Sequence, residues 1–179
     1  MTGTPSPPPL PAALNPGRYG IALVCLGNIC RSPMADVVLT ARVDDAGLAG
    51  VVRVVSAGTG HWHVGEPMDP RAAATLAAAD LDPTTHRAQQ VRLGLFEEFD
   101  LVLAMDAANL RDLQQLARDA GLAVDPARLH LFRDHDPLGR GDVPDPYYGG
   151  SDGFEEVLAM IERTSVAIVA ALQRELPFR

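Results

Sequence analysis

Predominantly apolar runs alternate with helix-like segments along the chain. Residues 21–24, 51–55 and 101–104 form three such runs, which are typical of parallel strands buried on both faces. Residues 128–132 alternate polar and apolar side chains, a pattern that predicts a half-exposed edge strand. Because the runs alternate with helical patterns, we expect an α/β fold, namely a single-domain, doubly wound, parallel four-stranded sheet with helices on both faces.

Residues that favour helix ends delimit the helical segments. The Ser32-Pro33 pair predicts an N-cap and the first residue of a helix. Two further helices are predicted at residues 69–79 and 107–119. The last helix should begin near Asp152, whose side chain can cap it while Glu155 reaches back in a capping box. The first strand therefore leads through one short loop into a helix.

The first 17 residues differ from the rest in composition. Their six prolines oppose both helix and sheet, so we predict a disordered tail over residues 1–17 and a folded domain over residues 18–179. The segment lacks the basic start and apolar block of a signal peptide. The chain also lacks the stretch of about 18 apolar residues that a membrane span needs. We therefore expect a cytoplasmic protein without a membrane partner.

The charged residues exclude several classes of function. All 15 basic residues are arginine, which excludes Schiff-base catalysis, a pyridoxal phosphate anchor and a P-loop NTPase, because each needs a lysine. The net charge of -8 argues against a nucleic-acid partner. His61 and His63 lack the further ligands of a metal site, so we predict no metal and no cofactor. We also expect a monomer.

The loop that begins at Cys25 carries the candidate chemistry. Backbone N–H groups gathered at a helix N-terminus form an anion site that needs no lysine. Gly27 and Asn28 tolerate the left-handed backbone that such a loop requires. Arg31 offers a planar fork to two phosphoryl oxygens. These surroundings favour the thiolate of Cys25 as a nucleophile, and Ser32 can donate a hydrogen bond to its sulfur.

Residues 24–35, with the sequence VCLGNICRSPMA, resemble the phosphate-binding signature of the low-molecular-weight protein tyrosine phosphatases. Other segments resemble that family in order and spacing: Ser56 to Thr59, Trp62, Asp69-Pro70-Arg71, Asp82 to Arg87, Met105-Asp106 and Asp145 to Gly149. The resemblance extends from Tyr19 to the C-terminus. It implies hydrolysis of phosphotyrosine in proteins, and of aryl phosphates, through a phosphocysteine at Cys25 and without a metal.

The resemblance also implies roles for individual residues. Asp145 would protonate the departing phenolate, although the residues alone leave Asp134, Asp136 and Asp142 as equal candidates. The implied substrate-binding residues are five from the loop and three aromatic walls: Leu26, Gly27, Asn28, Ile29, Cys30, Trp62, Tyr147 and Tyr148. The implied supporting residues, which hold the loop together with Asn28, are Ser32, Ser56 and His86. Cys30 is either a packing residue or, as the resemblance favours, the partner that captures oxidised Cys25.

Three alternatives share the fold or the loop. A thioredoxin-coupled arsenate reductase would need cysteines beyond Cys30, and the chain has none. A protein arginine phosphatase resembles this family but carries threonine at the position of Ile29. A phosphotyrosine-binding module without turnover is expected to lack Cys25 or the acid, Asp145. We therefore predict a phosphotyrosine phosphatase, with these three classes as alternatives.

Overall fold

The computed structural model describes residues 5–177 and contains a sheet of four parallel strands. The strands are β1 (Tyr19–Cys25), β2 (Val52–Gly58), β3 (Leu101–Ala104) and β4 (Leu129–Leu131). Their order across the sheet is β2-β1-β3-β4, and neighbouring strands pair in parallel. The predicted sheet is confirmed. Chain order reverses between β1 and β3, which is where sheets of this kind bind ligands.

Helices cover both faces of the sheet, as predicted. They are α1 (Arg31–Asp45), α2 (Pro70–Ala78), α3 (Leu95–Glu98), α4 (Ala107–Asp119) and α5 (Ser151–Glu175). Helices α1, α2 and α5 pack on one face, and α3 and α4 pack on the other. Within the part of the chain that is described, no helix is both long and apolar enough to cross a membrane.

The central strand β1 is buried because its side chains alternate between two apolar clusters. Ile21 and Leu23 belong to the cluster with α1, α2 and α5, whereas Ala22 and Val24 belong to the cluster with α3 and α4. All four are fully buried. Burying one large aliphatic side chain stabilises a fold by about 1.5–3 kcal/mol. This two-sided burial fixes β1 and therefore the position of Cys25 at its carboxyl end.

Two predicted helix N-caps are wrong, although α5 begins at Ser151, one residue before its predicted start. The N-cap of α1 is Cys30, not Ser32, because the Ser32 hydroxyl lies against the sulfur of the cysteine that ends β1. The N-cap of α5 is Gly150, and no side chain caps it. Asp152 and Glu155 therefore lie inside the helix and do not form the predicted capping box.

The edge strand and the segment before β3 also differ from the prediction. Strand β4 ends at Leu131, because Phe132 begins a 3-10 turn (Phe132–His135) that carries its ring into the core. The short helix α3 was not predicted. Its four residues are too few to show a helical period.

Residues 5–17 contain neither helix nor strand, as their proline content predicts. The segment nevertheless contacts the domain, since the hydroxyl of Tyr19 donates to the carbonyl of Pro11 at 3.1 Å. The division into a disordered tail and a domain that begins at residue 18 stays a prediction. The first four residues of that tail lie outside the described part of the chain.

Candidate active site

The sulfur of Cys25 receives hydrogen bonds from the loop that follows it. The backbone N–H of Asn28 donates to Sγ at 3.2 Å, and the hydroxyl oxygen of Ser32 lies 2.9 Å from it. The side-chain amide of Asn28 donates to the same hydroxyl at 2.8 Å. The hydroxyl therefore accepts from Asn28 and can donate its own proton to the sulfur. Two donors converge on Sγ, which stabilises negative charge there.

The loop of residues 25–31, here called the phosphate loop, is held from outside through its carbonyl oxygens. Four of them accept hydrogen bonds from other segments: Cys25 from Thr59 (3.0 Å), Leu26 from Gly60 (2.9 Å), Asn28 from His86 (2.7 Å) and Ile29 from Asp69 (2.8 Å). A carbonyl and the following N–H point in opposite directions across a planar peptide. Outward carbonyls therefore turn N–H groups toward the interior of the loop, where an anion can bind.

Asn28 forms the left-handed turn of the phosphate loop, with φ of 56°. Its Oδ1 accepts from the N–H of Gln89 at 2.9 Å, and its Nδ2 donates to the hydroxyl of Ser56 at 3.0 Å. The ring of His86 contacts the carbonyl of Asn28. Because that oxygen can only accept, Nε2 of His86 carries the proton. Burial lowers the pKa of His86 despite this hydrogen bond, so the ring is neutral at pH 7.

Arg31 is buried and faces two carboxylates. Its Nη1 lies 2.6 Å from Oδ2 of Asp106 and donates to the carbonyl of Val143 at 3.1 Å, and its Nη2 lies 3.5 Å from Oδ2 of Asp145. Burial alone would lower the pKa of Arg31, but the hydrogen bond to Asp106 and the charges of Cys25 and Asp145 raise it on balance. The guanidinium therefore stays charged at the base of the site.

A cleft of about 320 Å³ opens above the sulfur. It is lined by the phosphate loop, the predicted acid and the aromatic residues: Cys25, Leu26, Gly27, Ile29, Cys30, Arg31, Trp62, His63, Asp145, Tyr147 and Tyr148. Of the predicted substrate-binding residues, only Asn28 does not line it, because the Asn28 side chain is buried behind the loop. Trp62 and Tyr147 are partly exposed walls, whereas Tyr148 is 91% exposed at the rim.

Asp145 is the candidate acid that the structure brings into this cleft. The other three acidic candidates are used elsewhere. Asp136 is buried between two arginines of the 3-10 turn and α5, Asp142 accepts from the first N–H of α4, and Asp134 accepts from the N–H of Leu131. Their geometry agrees with structural roles.

Of the two histidines that were considered as metal ligands, His63 lines the cleft and His61 contacts the cleft residue Trp62. The ring of His61 stacks on Trp62 with 5.5 Å between centroids, and His63 contacts Glu66 at 2.7 Å. Among residues 5–177, no group of three or more His, Cys, Asp or Glu side chains is placed to hold a metal ion.

A larger cleft, of about 540 Å³, lies beside three residues that contact Asn28, namely Ser56, His86 and Gln89. Its lining includes Asp36, Ser56 and His86 but not Cys25, so it is not the candidate active site. Burial raises the pKa of Asp36 to about 6, although hydrogen bonds from Ser56 and Thr40 oppose the shift. The cleft thus borders the network that supports Asn28.

Comparison with known proteins agrees with this geometry. The sequence model of the family described as low molecular weight phosphotyrosine protein phosphatase matches residues 20–177. The chain belongs to this family. A Streptomyces coelicolor relative named low molecular weight protein-tyrosine-phosphatase is 49% identical over 169 residues, which cover 90% of this chain and 98% of the relative.

The structure of this low molecular weight phosphatase family member is similar to the solved structures of two Bacillus subtilis proteins. The crystal structure of YfkJ has a TM-score of 0.80 and 33% identity, and the match covers 88% of this chain and 96% of YfkJ. The YwlE arginine phosphatase has a TM-score of 0.75 and 26% identity, with 88% and 97% of the two chains covered. The fold therefore occurs with more than one named phosphatase activity.

In this family member, sequence reasoning missed several residues that shape the site. Asp106, which binds Arg31, was noted only as part of a family segment, although its position two residues after β3, beside the carboxyl end of β1, could have been a signal. Gln89 offered no signal, because it supports Asn28 through its backbone N–H, a group that every residue except proline carries. Arg71 was noted only as part of a family segment, yet it contacts the segment that carries Asp145.

Proposed function

We propose that the chain is a protein tyrosine phosphatase that hydrolyses phosphotyrosine and aryl phosphates through a phosphocysteine at Cys25. One observation carries the proposal: a cysteine sulfur with two hydrogen-bond donors, a buried arginine and an aspartate face one cleft with aromatic walls. Membership of the family supports the same activity.

In the first step, the thiolate of Cys25 attacks phosphorus and an S–P bond forms. The N–H groups of the phosphate loop and the guanidinium of Arg31 bind the non-bridging oxygens. The P–O bond to the aryl group breaks, and its electron pair goes to the phenolate oxygen. Asp145 transfers its proton to that oxygen. Because Asp145 lies 3.5 Å from Arg31, it is close to the position where the phosphoryl group would bind.

In the second step, the carboxylate of Asp145 removes a proton from water, and the water oxygen attacks phosphorus. The S–P bond breaks, and Cys25 leaves as a thiolate. The hydroxyl of Ser32 and the N–H of Asn28 stabilise this leaving group, since both lie within hydrogen-bond distance of Sγ. The products are inorganic phosphate and free enzyme.

The walls of the cleft favour a phenol over other phosphate esters. Trp62 and Tyr147 present aromatic faces that can stack on the phenol ring. Ile29 adds an aliphatic wall where arginine phosphatases are expected to carry threonine. We propose phosphotyrosine-containing proteins as substrates and a monomeric, cytoplasmic enzyme without a nucleic-acid or membrane partner.

Two variants test the roles of nucleophile and acid. Cys25→Ser should abolish turnover of phosphotyrosine, because a serine hydroxyl is not ionised at neutral pH. Asp145→Asn should lower kcat/KM for phenyl phosphate by about 10² to 10⁴, and by less for para-nitrophenyl phosphate, whose phenol leaves readily. The matched control is Asp142→Asn, which changes a neighbouring carboxylate at the helix α4 cap.

The proposal also predicts turnover without added metal and unchanged by chelator, with phosphotyrosine preferred over phosphoarginine. Mass spectrometry of enzyme denatured during turnover should find phosphate on the peptide of Cys25. Near-normal turnover by Cys25→Ser, a requirement for a divalent ion, or a preference for phosphoarginine would contradict the proposed function.

A further inference from the structure

Arg71, in the first turn of α2, is tied to the phosphate loop through one neighbour. Its Nη2 lies 2.9 Å from Oδ2 of Asp69, and its Nε donates to Oδ1 at 3.1 Å. This pairing lowers the pKa of the nearly buried Asp69 carboxyl, so both groups are charged at neutral pH. The N–H of Asp69 donates to the carbonyl of Ile29 in the phosphate loop at 2.8 Å. Arg71 is thus anchored to the side of the cleft that carries the nucleophile.

The same guanidinium also contacts the segment that carries the acid. Its Cζ lies 5.4 Å from the centroid of the Tyr147 ring and 4.8 Å from that of Phe154. Its Nη1 donates to the carbonyl of Gly149 at 3.5 Å. A planar guanidinium can stack on rings while its edge binds a carboxylate, and a lysine cannot do both.

The segment of residues 145–150, here called the acid segment, has few other anchors. Before it, Val143 is fixed, because its N–H donates to Met105 at 2.7 Å and its carbonyl accepts from Arg31. Among the described residues, the only hydrogen bond that positions 146–150 receive from outside, apart from the first turn of α5, comes from Arg71.

Tyr147 connects Arg71 to the acid itself. The N–H of Tyr147 donates to Oδ1 of Asp145 at 3.1 Å, which orients the carboxyl while Oδ2 faces Arg31. A shift of the Tyr147 main chain would therefore rotate or withdraw the carboxyl. Arg71 does not line the cleft, so it acts through Tyr147 and not on the substrate.

We propose that Arg71 is a positioning residue that holds Asp145 over the phosphate loop. The inference rests on the proposed function, in which Asp145 protonates the phenolate. The expected effect of replacing Arg71 depends on the leaving group, because loss of Arg71 should impair proton transfer to the leaving group and leave attack by Cys25 largely intact.

The test compares leaving groups in an Arg71→Ala variant of the whole chain. Displacing a catalytic group by about 1 Å costs up to about 10² in rate, so we expect kcat/KM for phenyl phosphate to fall about tenfold. For para-nitrophenyl phosphate, which needs little protonation, the loss should be less than about twofold. Arg111→Ala, at an exposed arginine on α4, is the matched control and should change neither value.

A double variant separates this inference from the proposed function. In an Asp145→Asn background, Arg71→Ala should cause no further loss with phenyl phosphate, because both changes remove the same proton transfer. If Arg71→Ala folds poorly, Arg71→Gln, which keeps a donor for Asp69, is expected to show the same selective loss.

Three results would overturn the positioning role. These are equal losses for both substrates, no loss in Arg71→Ala while Asp145→Asn remains selective, or a full additional loss in the double variant. If Asp145→Asn itself showed no dependence on the leaving group, the assignment of the acid would fail first, and the role of Arg71 with it.

Discussion

Asn28 offers the sharpest test of how the phosphate loop is held, because this residue supports the loop through both its backbone conformation and its side chain. Its backbone is left-handed, and its side-chain amide joins Gln89, Ser56 and Ser32. Replacing it with alanine removes the amide and places at φ of 56° a residue that adopts the left-handed backbone less readily than asparagine. Replacing it with glycine removes the amide but permits the backbone conformation.

The structure gives the size of the expected loss in the free energy of unfolding. A left-handed conformation costs alanine about 1–2 kcal/mol. The N–H of Gln89 loses its acceptor in a partly buried place, which costs about 1–2 kcal/mol more. Asn28→Ala should therefore lower the free energy of unfolding by about 2–4 kcal/mol, out of about 5–15 kcal/mol for a typical domain. Asn28→Gly should be about 1 kcal/mol less destabilised than Asn28→Ala.

Urea unfolding followed by circular dichroism measures these differences. Asn109→Ala is the matched control, because Asn109 is equally buried but lies in α4, and its Oδ1 has no hydrogen-bond partner among the described residues. This control should lose less stability than Asn28→Ala. Both Asn28 variants should also lose about tenfold or more in kcat/KM, since Ser32 is no longer oriented toward the sulfur.

Two results would refute this reasoning. If Asn28→Ala and Asn28→Gly had the same stability, the left-handed backbone would not be the source of the alanine penalty. If both variants matched the wild type in stability and activity, the hydrogen bonds of Asn28 would not hold the loop.

Three further predictions concern single side chains. Arg31→Lys should lose most of the activity on phenyl phosphate in a steady-state assay, because an ammonium cannot bind two oxygens as a fork, and near-normal rates would contradict this. The raised pKa of Asp36, about 6, means that ionisation of this carboxyl destabilises the fold, so the stability of the wild type relative to Asp36→Asn should fall as pH rises from about 4 through 6. By pH 8, Asp36→Asn should be more stable in urea by on the order of 3 kcal/mol, and the difference should vanish below about pH 4. Peroxide should inactivate the wild type reversibly, with a loss of two hydrogens in the peptide from Cys25 to Cys30, whereas Cys30→Ser should recover poorly with dithiothreitol. Full recovery of that variant would return Cys30 to a packing role.

Local patterns along the chain predicted the parts of the protein that depend on neighbours in sequence. The apolar run that ends at Cys25 predicted a buried parallel strand, because strands covered on both faces need apolar side chains at every position. Alternation of such runs with helices predicted the doubly wound sheet, and that prediction is confirmed. Glycine and asparagine after Cys25 indicated a tight loop, because few other residues accept a left-handed backbone.

Tertiary structure decided between partners that the sequence left open. Ser32 was expected both to cap α1 and to donate to the sulfur of Cys25, and in the structure its hydroxyl lies 2.9 Å from that sulfur while Cys30 is the N-cap. Four aspartates near the end of the chain were equal candidates from their own surroundings, and only Asp145 faces the cleft. The reason is physical: hydrogen bonds and ion pairs act over about 3 Å in space, whereas Arg31 and its partner Asp106 are 75 residues apart in the chain. Only the packing of β1 beside β3 brings these two residues together.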